Sequence, residues 1–191
     1  MELHLEPATT ALVVIDLQRG IVANPAAPHD PKDVVARAAQ LAGAMRAAGG
    51  TVVLVHVTPS PDGKDALRPI TDGPGRPGGS PPPDWSEIVP ELGPEAANVV
   101  ITKHQWGAFY GTELDLQLRR RGIDTIVLCG IATNWGVEST ARDAFERGYQ
   151  QVFVEDAMSA RAAEEHAHAV STLFPRIGRV RSTAEVLAAL K

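Results

Sequence analysis

The chain reads as an α/β protein built on a doubly wound parallel sheet with helices on both faces. Three observations predict this. Short runs of apolar, β-branched residues recur along the 191 residues, as in strands buried on both faces. Segments of helical periodicity separate them, which is the alternation a parallel sheet requires. The stretch that begins at Asp124 holds one such unit in one piece. It has a buried run from Thr125 to Cys129, a punctuating Gly130, and a helix start with Val137, Thr140, Ala141, Ala144 and Phe145 at helical spacing. First-turn N–H groups at such a junction lack intrahelical partners and favour anions, and open α/β sheets bind ligands at this rim. Function is therefore expected at this turn.

In chain order, Ala11 to Ile15 is the first buried strand and ends on a carboxylate, Asp16. Asp30 caps a helix that starts with Pro31, runs through VVARAAQLAGAMRAA and stops at Gly49-Gly50. Thr51 to Val57 is the second strand, which completes a right-handed βαβ unit. Thr58 to Ala97 differs: ten of the 15 prolines fall there, together with GPGRPGGSPPP, so no regular element is expected. This loop reads as a lid, an oligomer contact or a solvated excursion, with Trp85 as an anchor within it. Asn98 to Thr102 gives a third strand, ending at Lys103. After an irregular HQWGAFYG, Thr112 caps a helix with Leu114 and Leu118 four apart, and Gly122 ends it. The unit described above supplies the fourth strand and its helix. Gln151 to Val154 is the fifth strand, ending in Glu155-Asp156, and a helix around His166 to Leu173 follows. Arg179 to Arg181 is a sixth strand and Thr183 to Leu190 a terminal helix. One domain over residues 1–191 is expected.

Composition narrows the function classes. A net charge of -5 leaves no basic footprint for nucleic acid, and Arg119 to Arg121 sit at a helix end, where cations complement the dipole. The sole cysteine, Cys129, excludes an intrachain disulfide, which fits a reducing compartment. No basic segment precedes the first apolar run, and no run approaches a membrane span. A cytoplasmic protein with no membrane or nucleic-acid partner is expected.

Asp16, Lys103 and the turn around Gly136 each follow a different predicted strand. In a doubly wound sheet those strand ends share one rim, so these residues can meet there. An Asp ending an apolar strand is costly unless paired, and Lys103 could pair it. The alternative is a capping Asp and an unrelated surface Lys. Cys129 lies inside a strand rather than at a helix start that would stabilise a thiolate, so it reads as a small hydrophobe.

The segments LVVIDLQ, ITKHQWGAFYGTELDLQLRRRGIDTIVLCGIATNWGVESTARDAFERGY and VEDA resemble the isochorismatase-like hydrolases, which include nicotinamidases and other cysteine amidohydrolases. The resemblance covers nearly the whole chain outside the Pro/Gly-rich loop. It implies a six-stranded parallel sheet of order 3-2-1-4-5-6 in a three-layer sandwich, and a homo-oligomer, dimer or tetramer. In the amidohydrolase branch it places a catalytic Asp at Asp16, a Lys at Lys103 and a nucleophilic Cys at position 136, where this chain has Gly136. It also implies a cis peptide at Ile131-Ala132, with the Ala132 and Gly136 amides forming an oxyanion hole. A Gly at this position resembles isochorismatases proper, which cleave a vinyl ether with no covalent intermediate. Asp16 would then be the acid, and Lys103 would position it. Lys103 would also lower the Asp16 pKa, so desolvation must win for an acid to work. Close helix-to-strand packing is an equally good account of Gly136.

Where isochorismatases carry K-W-R-Y-S-A-F, this chain has Lys103-His104-Gln105-Trp106-Gly107-Ala108-Phe109. Gln105 lacks the charged fork that grips a carboxylate, so a substrate less anionic than isochorismate is expected unless Arg68 or Arg76 substitutes. Trp106, Phe109 and Trp135 would give a pocket aromatic walls for a flat or cyclic small molecule, or else belong to the core. No metal or other cofactor is expected. Nicotinamidases place an Asp and several His after the second strand, whereas this chain offers only His56 there. His166 and His168 do not share a helix face, and Asp156 reads as a structural cap. The competing function is a non-catalytic metabolite binder or scaffold that has lost the Cys of an amidohydrolase.

Overall fold

A computed structural model describes residues 3–73, 81–97 and 99–190. A 3-10 turn, Pro7–Thr9, leads into β1, Thr10–Ile15, followed by the single turn α1, Arg19–Val22, and the long α2, Pro31–Ala47. Asp30 Oδ1 accepts from Lys32 N at 2.8 Å, so the predicted cap and N1 proline start α2. Next come β2, Thr51–Val57, two 3-10 turns at Pro90–Leu92 and Pro94–Ala96, and β3, Val99–Lys103. Then follow α3, Leu114–Arg120, β4, Thr125–Ile131, a π-helical turn, Thr133–Val137, and α4, Glu138–Glu146. The chain finishes with β5, Gln150–Ser159, α5, Ala163–His168, a second π-helical turn, Ala169–Leu173, α6, Phe174–Ile177, β6, Arg179–Arg181, and α7, Thr183–Ala189.

The six strands form one parallel sheet in the order β3-β2-β1-β4-β5-β6. Alternate residues of the central strands point to opposite faces, and both faces are covered. Leu12, Val14, Leu54, Val127 and Val152 pack with Val34, Ala38 and Leu41 of α2 and Val186 of α7. On the other face Val13, Ile15, Val53, Leu128 and Phe153 pack with Leu114 and Leu118 of α3 and with Ala141 and Ala144 of α4. Two buried faces explain why these strands read as unbroken apolar runs rather than alternating ones.

Several local expectations change. Gly130 does not end the fourth strand; β4 runs through it to Ile131. A Cβ on Gly130 would lie 2.0 Å from the Ile15 carbonyl oxygen, and φ there is +123°, so this glycine allows a close approach of β1 to β4 rather than a turn. The fifth strand does not end at Glu155-Asp156 but continues to Ser159. Its register against β4 jumps from Leu128↔Phe153 to Gly130↔Met158, so β5 bulges in between. The terminal helix is capped by a Ser182–Glu185 capping box, and Asp156 Oδ1 accepts from Thr183 N at 2.7 Å and from its hydroxyl at 2.8 Å. The expected cap Thr112 sits one residue outside the α3 N-cap, Glu113, yet its Oγ1 still accepts from Leu114 N at 3.1 Å.

The Pro-rich connection holds the two short 3-10 turns and is pinned to the strand ends. Gln18 is completely buried. Its amide donates to Val57 O at 3.0 Å and Trp85 O at 3.2 Å, while its Oε1 accepts from Val57 N at 2.8 Å. The Trp85 indole packs where a Cβ on Gly20 would sit, 1.9 Å from Cδ1, which makes Trp85 an anchor. Among the described residues, no helix is long and apolar enough to cross a membrane.

Candidate functional site

The sheet order puts β1 beside β4 and, one strand further along, β2 beside β3, so the C-terminal ends of β1, β3 and β4 lie near one another. Asp16 leaves β1 with φ +55°, a left-handed conformation that Asp tolerates better than most residues. Lys103 is the last residue of β3. Their side chains meet, with Lys103 Nζ 2.8 Å from Asp16 Oδ2. Gly136 completes the group, since a Cβ built on it would lie 3.0 Å from Asp16 Oδ2 and 3.2 Å from Lys103 Nζ. Three residues separated by 87 and 33 positions are thus in contact. A side chain at position 136 would press on the ion pair and on Ile15 Cγ2, itself 3.0 Å from the same point, and these neighbours would have to give slightly.

The pair is buried. Lys103 has no exposed side chain, and that of Asp16 keeps 8%. Lys103 Nζ also donates to the Trp106 carbonyl, so its charge is held from two sides. Asp16 Oδ1, by contrast, is buried with no hydrogen-bond partner. Desolvation pushes the Asp16 carboxyl up from 3.8 to about 6, against the opposing pull of the Lys103 charge and hydrogen bond and of His56. A carboxyl that titrates near neutrality, with one oxygen held by a cation and the other unpartnered, can carry a proton and release it.

The other expected residues fall into two groups. The Ile131-Ala132 bond is cis, and the Ala132 carbonyl accepts from Trp135 N and Val137 N at 3.2 Å each, winding residues 133–137 into the π-helical turn that carries Gly136. Trp135 and Trp106 stack with ring centroids 5.6 Å apart and planes 6° apart, and Trp106 is 54% exposed. These residues border the Asp16–Lys103 pair through Gly136 and through the Trp106 carbonyl. Phe109 lies in the core against Tyr149, 5.8 Å between rings. Gln105 spends its amide on the carbonyls of Gly107 at 3.1 Å and Tyr110 at 2.6 Å, shaping the segment after Lys103. Arg68 is exposed on the long connection, and Arg76 lies outside the described residues.

Cys129 is fully buried in β4 and its thiol is pushed up to about 12 by burial and then by the charge of Asp156, so it is no nucleophile. His56 is occupied by Ser86 O and Thr102 Oγ1, each 2.8 Å away. Among the described residues no group of three or more His, Cys, Asp or Glu side chains is placed to hold a metal ion. A surface depression of about 460 Å³ includes Arg19, His56 and Glu87 in its lining but none of Asp16, Lys103 and Gly136.

Two features near the turn escape sequence reasoning. Thr133 Oγ1 and His166 Nδ1 lie 2.9 Å apart, both residues buried, tying the turn to α5. Burial and the neighbouring His29 push the His166 imidazole down to about 4. Arg161 lies over the Trp135 ring, its Cζ 4.8 Å from the centroid. Only the Ala160-Arg161 position just past a strand end signals it in sequence.

The family model described as the isochorismatase domain matches residues 10–185. The isochorismatase family protein YwoC of Bacillus subtilis is 53% identical over 99% of this chain and 98% of its own length. YecD of Escherichia coli, of the same family, is 53% identical over 98% of this chain and 100% of its own length. At greater distance, the ureidoacrylate amidohydrolase RutB of Methylobacterium radiotolerans is 33% identical over 97% of this chain and 81% of its own. Among solved structures, an isochorismatase family protein from Burkholderia thailandensis superposes with a TM-score of 0.91 and 51% identity, covering 100% of this chain and 99% of that one.

Proposed function

The chain belongs to the isochorismatase family of hydrolases, and from that premise we propose that it hydrolyses a small cyclic metabolite by acid chemistry at Asp16, with no covalent nucleophile. Vinyl-ether cleavage is the reaction this arrangement suits best. The observation that carries the reading is the contact of Gly136 with the Asp16–Lys103 pair. Where a thiol would be needed there is only a hydrogen, and Cys129 cannot replace it because it is buried and stays protonated.

The chemistry then follows from the charges. Protonated Asp16 gives its proton to the enol-ether carbon, and the C=C electron pair forms the new C–H bond. The resulting oxocarbenium ion takes up water, whose surplus proton returns to the carboxylate. The hemiketal so formed collapses to pyruvate and the ring alcohol. Lys103 stabilises the Asp16 carboxylate as the proton leaves, and burial keeps the proton on Asp16 before that.

A second reading, a non-catalytic member that binds a metabolite, draws on the compactness of the site: the ion pair occupies the space beside position 136. A coupled pyruvate-release assay with isochorismate separates the two, run on the wild type, on Asp16→Asn and on protein treated with iodoacetamide. Pyruvate that disappears with Asp16→Asn and survives alkylation supports the vinyl-ether reading. Pyruvate that Asp16→Asn leaves untouched refutes acid catalysis at Asp16. No product from isochorismate or from any member of an amide, ester and enol-ether panel leaves the binder.

A further inference from the structure

We propose that Arg161 is the specificity-determining cation of this site and that the molecule it selects is a planar or cyclic carboxylate. The inference rests on the reading of the Asp16 rim as the substrate site and names the substrate class. Arg161 lies two residues past β5, whose Ser159 is in register with Ile131 of β4. The guanidinium therefore stands at the same edge of the sheet as Asp16, Lys103 and Gly136. Arg161 lies over the Trp135 ring, 4.8 Å from Cζ to centroid, and Trp135 in turn stacks on Trp106 at 5.6 Å. The two indoles hold the cation over the residue next to Gly136 and spare its N–H groups for a ligand.

Charge accounting points the same way. Lys103 is fully buried, and its ammonium is committed to Asp16 and to the Trp106 carbonyl. Gln105 is consumed by Gly107 and Tyr110. Most arginines near an acid are paired: Arg19 with Glu87, Arg37 with Asp156, Arg142 with Glu138, Arg147 with Asp143. Among the described residues Arg161 forms no ion pair, not even with Glu165 four positions on. An uncompensated guanidinium on an aromatic shelf is what a carboxylate with a flat or cyclic body requires. The weakly anionic substrate expected from Gln105 alone gives way to an anionic one.

The test uses benzoate and benzamide, which share size and flatness and differ in charge, titrated calorimetrically into wild type, Arg161→Gln, Arg161→Lys and Asp16→Asn. The wild type is expected to bind benzoate about ten- to a hundredfold more tightly than benzamide, the range of a charge-assisted hydrogen bond. Arg161→Gln should erase that preference and Arg161→Lys should keep part of it, whereas Asp16→Asn, which removes the counter-charge of Lys103, should not weaken it. Equal binding of the two probes to the wild type, no saturable benzoate binding, or an undiminished preference in Arg161→Gln overturns the proposal. Turnover does not enter the readout. Loss of the Asp16 acid chemistry and loss of the Arg161 subsite therefore register in different experiments.

Discussion

Replacing Asp16 by Asn tests the electrostatics on which acid catalysis depends, because two opposing terms meet at this residue. Asn keeps the shape and an oxygen for Lys103 but fixes the side chain in its uncharged form, so it mimics protonated Asp16. Burial raises the carboxyl from 3.8 to about 6, and a difference of this size corresponds to about 3 kcal/mol. A carboxyl with a raised folded-state pKa binds more protons folded than unfolded between those two values. The contribution of Asp16 to stability therefore falls as pH rises from about 4 to about 6 and is restored as pH falls. At pH 7 Asp16→Asn should be more stable than the wild type by up to about 3 kcal/mol, about 6 to 12 °C in Tm for a chain of this size. The gain should vanish by about pH 4. The opposite expectation comes from the pair itself, since removing one partner of a buried ion pair typically costs about 3 to 5 kcal/mol. His166, pushed down to about 4, contributes a slope of the other sign across the same window, so the readout is the difference between variants and not the wild-type profile. Urea unfolding of both proteins from pH 4 to pH 8 decides. If Asp16→Asn is instead the less stable protein, by an amount that stays nearly constant from pH 8 down to pH 4, Lys103 holds Asp16 ionised and the acid assignment fails.

Three further outcomes follow from the packing of β1, β4 and the turn after it. Gly136→Ala places a methyl 3.0 Å from Asp16 Oδ2 and 3.2 Å from Lys103 Nζ, so turnover should be lost with an overpacking cost of about 1 to 3 kcal/mol in urea unfolding. Gly130→Ala, with its Cβ 2.0 Å from the Ile15 carbonyl oxygen, should cost more than Gly136→Ala; equal costs would refute the packing account of Gly130. Cys129, pushed up to about 12 and fully buried, should resist iodoacetamide at pH 8 in the folded protein and react once urea unfolds it, as intact-mass measurement would show.

The sequence by itself determined the sheet, the alternation of strands and helices, and the three positions Asp16, Lys103 and Gly136. Apolar runs, caps and glycines are local signals, and a strand buried on both faces leaves its mark in five or six consecutive residues. The strand order came from the resemblance, and it agrees with the observed order β3-β2-β1-β4-β5-β6. What local pattern could not contain is the distance between chain segments. Gly130 read as a turn because its role, admitting the Ile15 carbonyl, depends on a strand more than a hundred residues away. Nothing local marks Gln18 as a clamp, because the role depends on the Pro-rich connection returning to it. Arg161 carried no motif, since its meaning lies in a ring 26 residues earlier over which it packs. The ionisation of Asp16 belongs to the same class: a carboxylate beside a lysine reads as a lowered pKa, and only the depth of burial, set by the closed packing of three strand ends, reverses the sign.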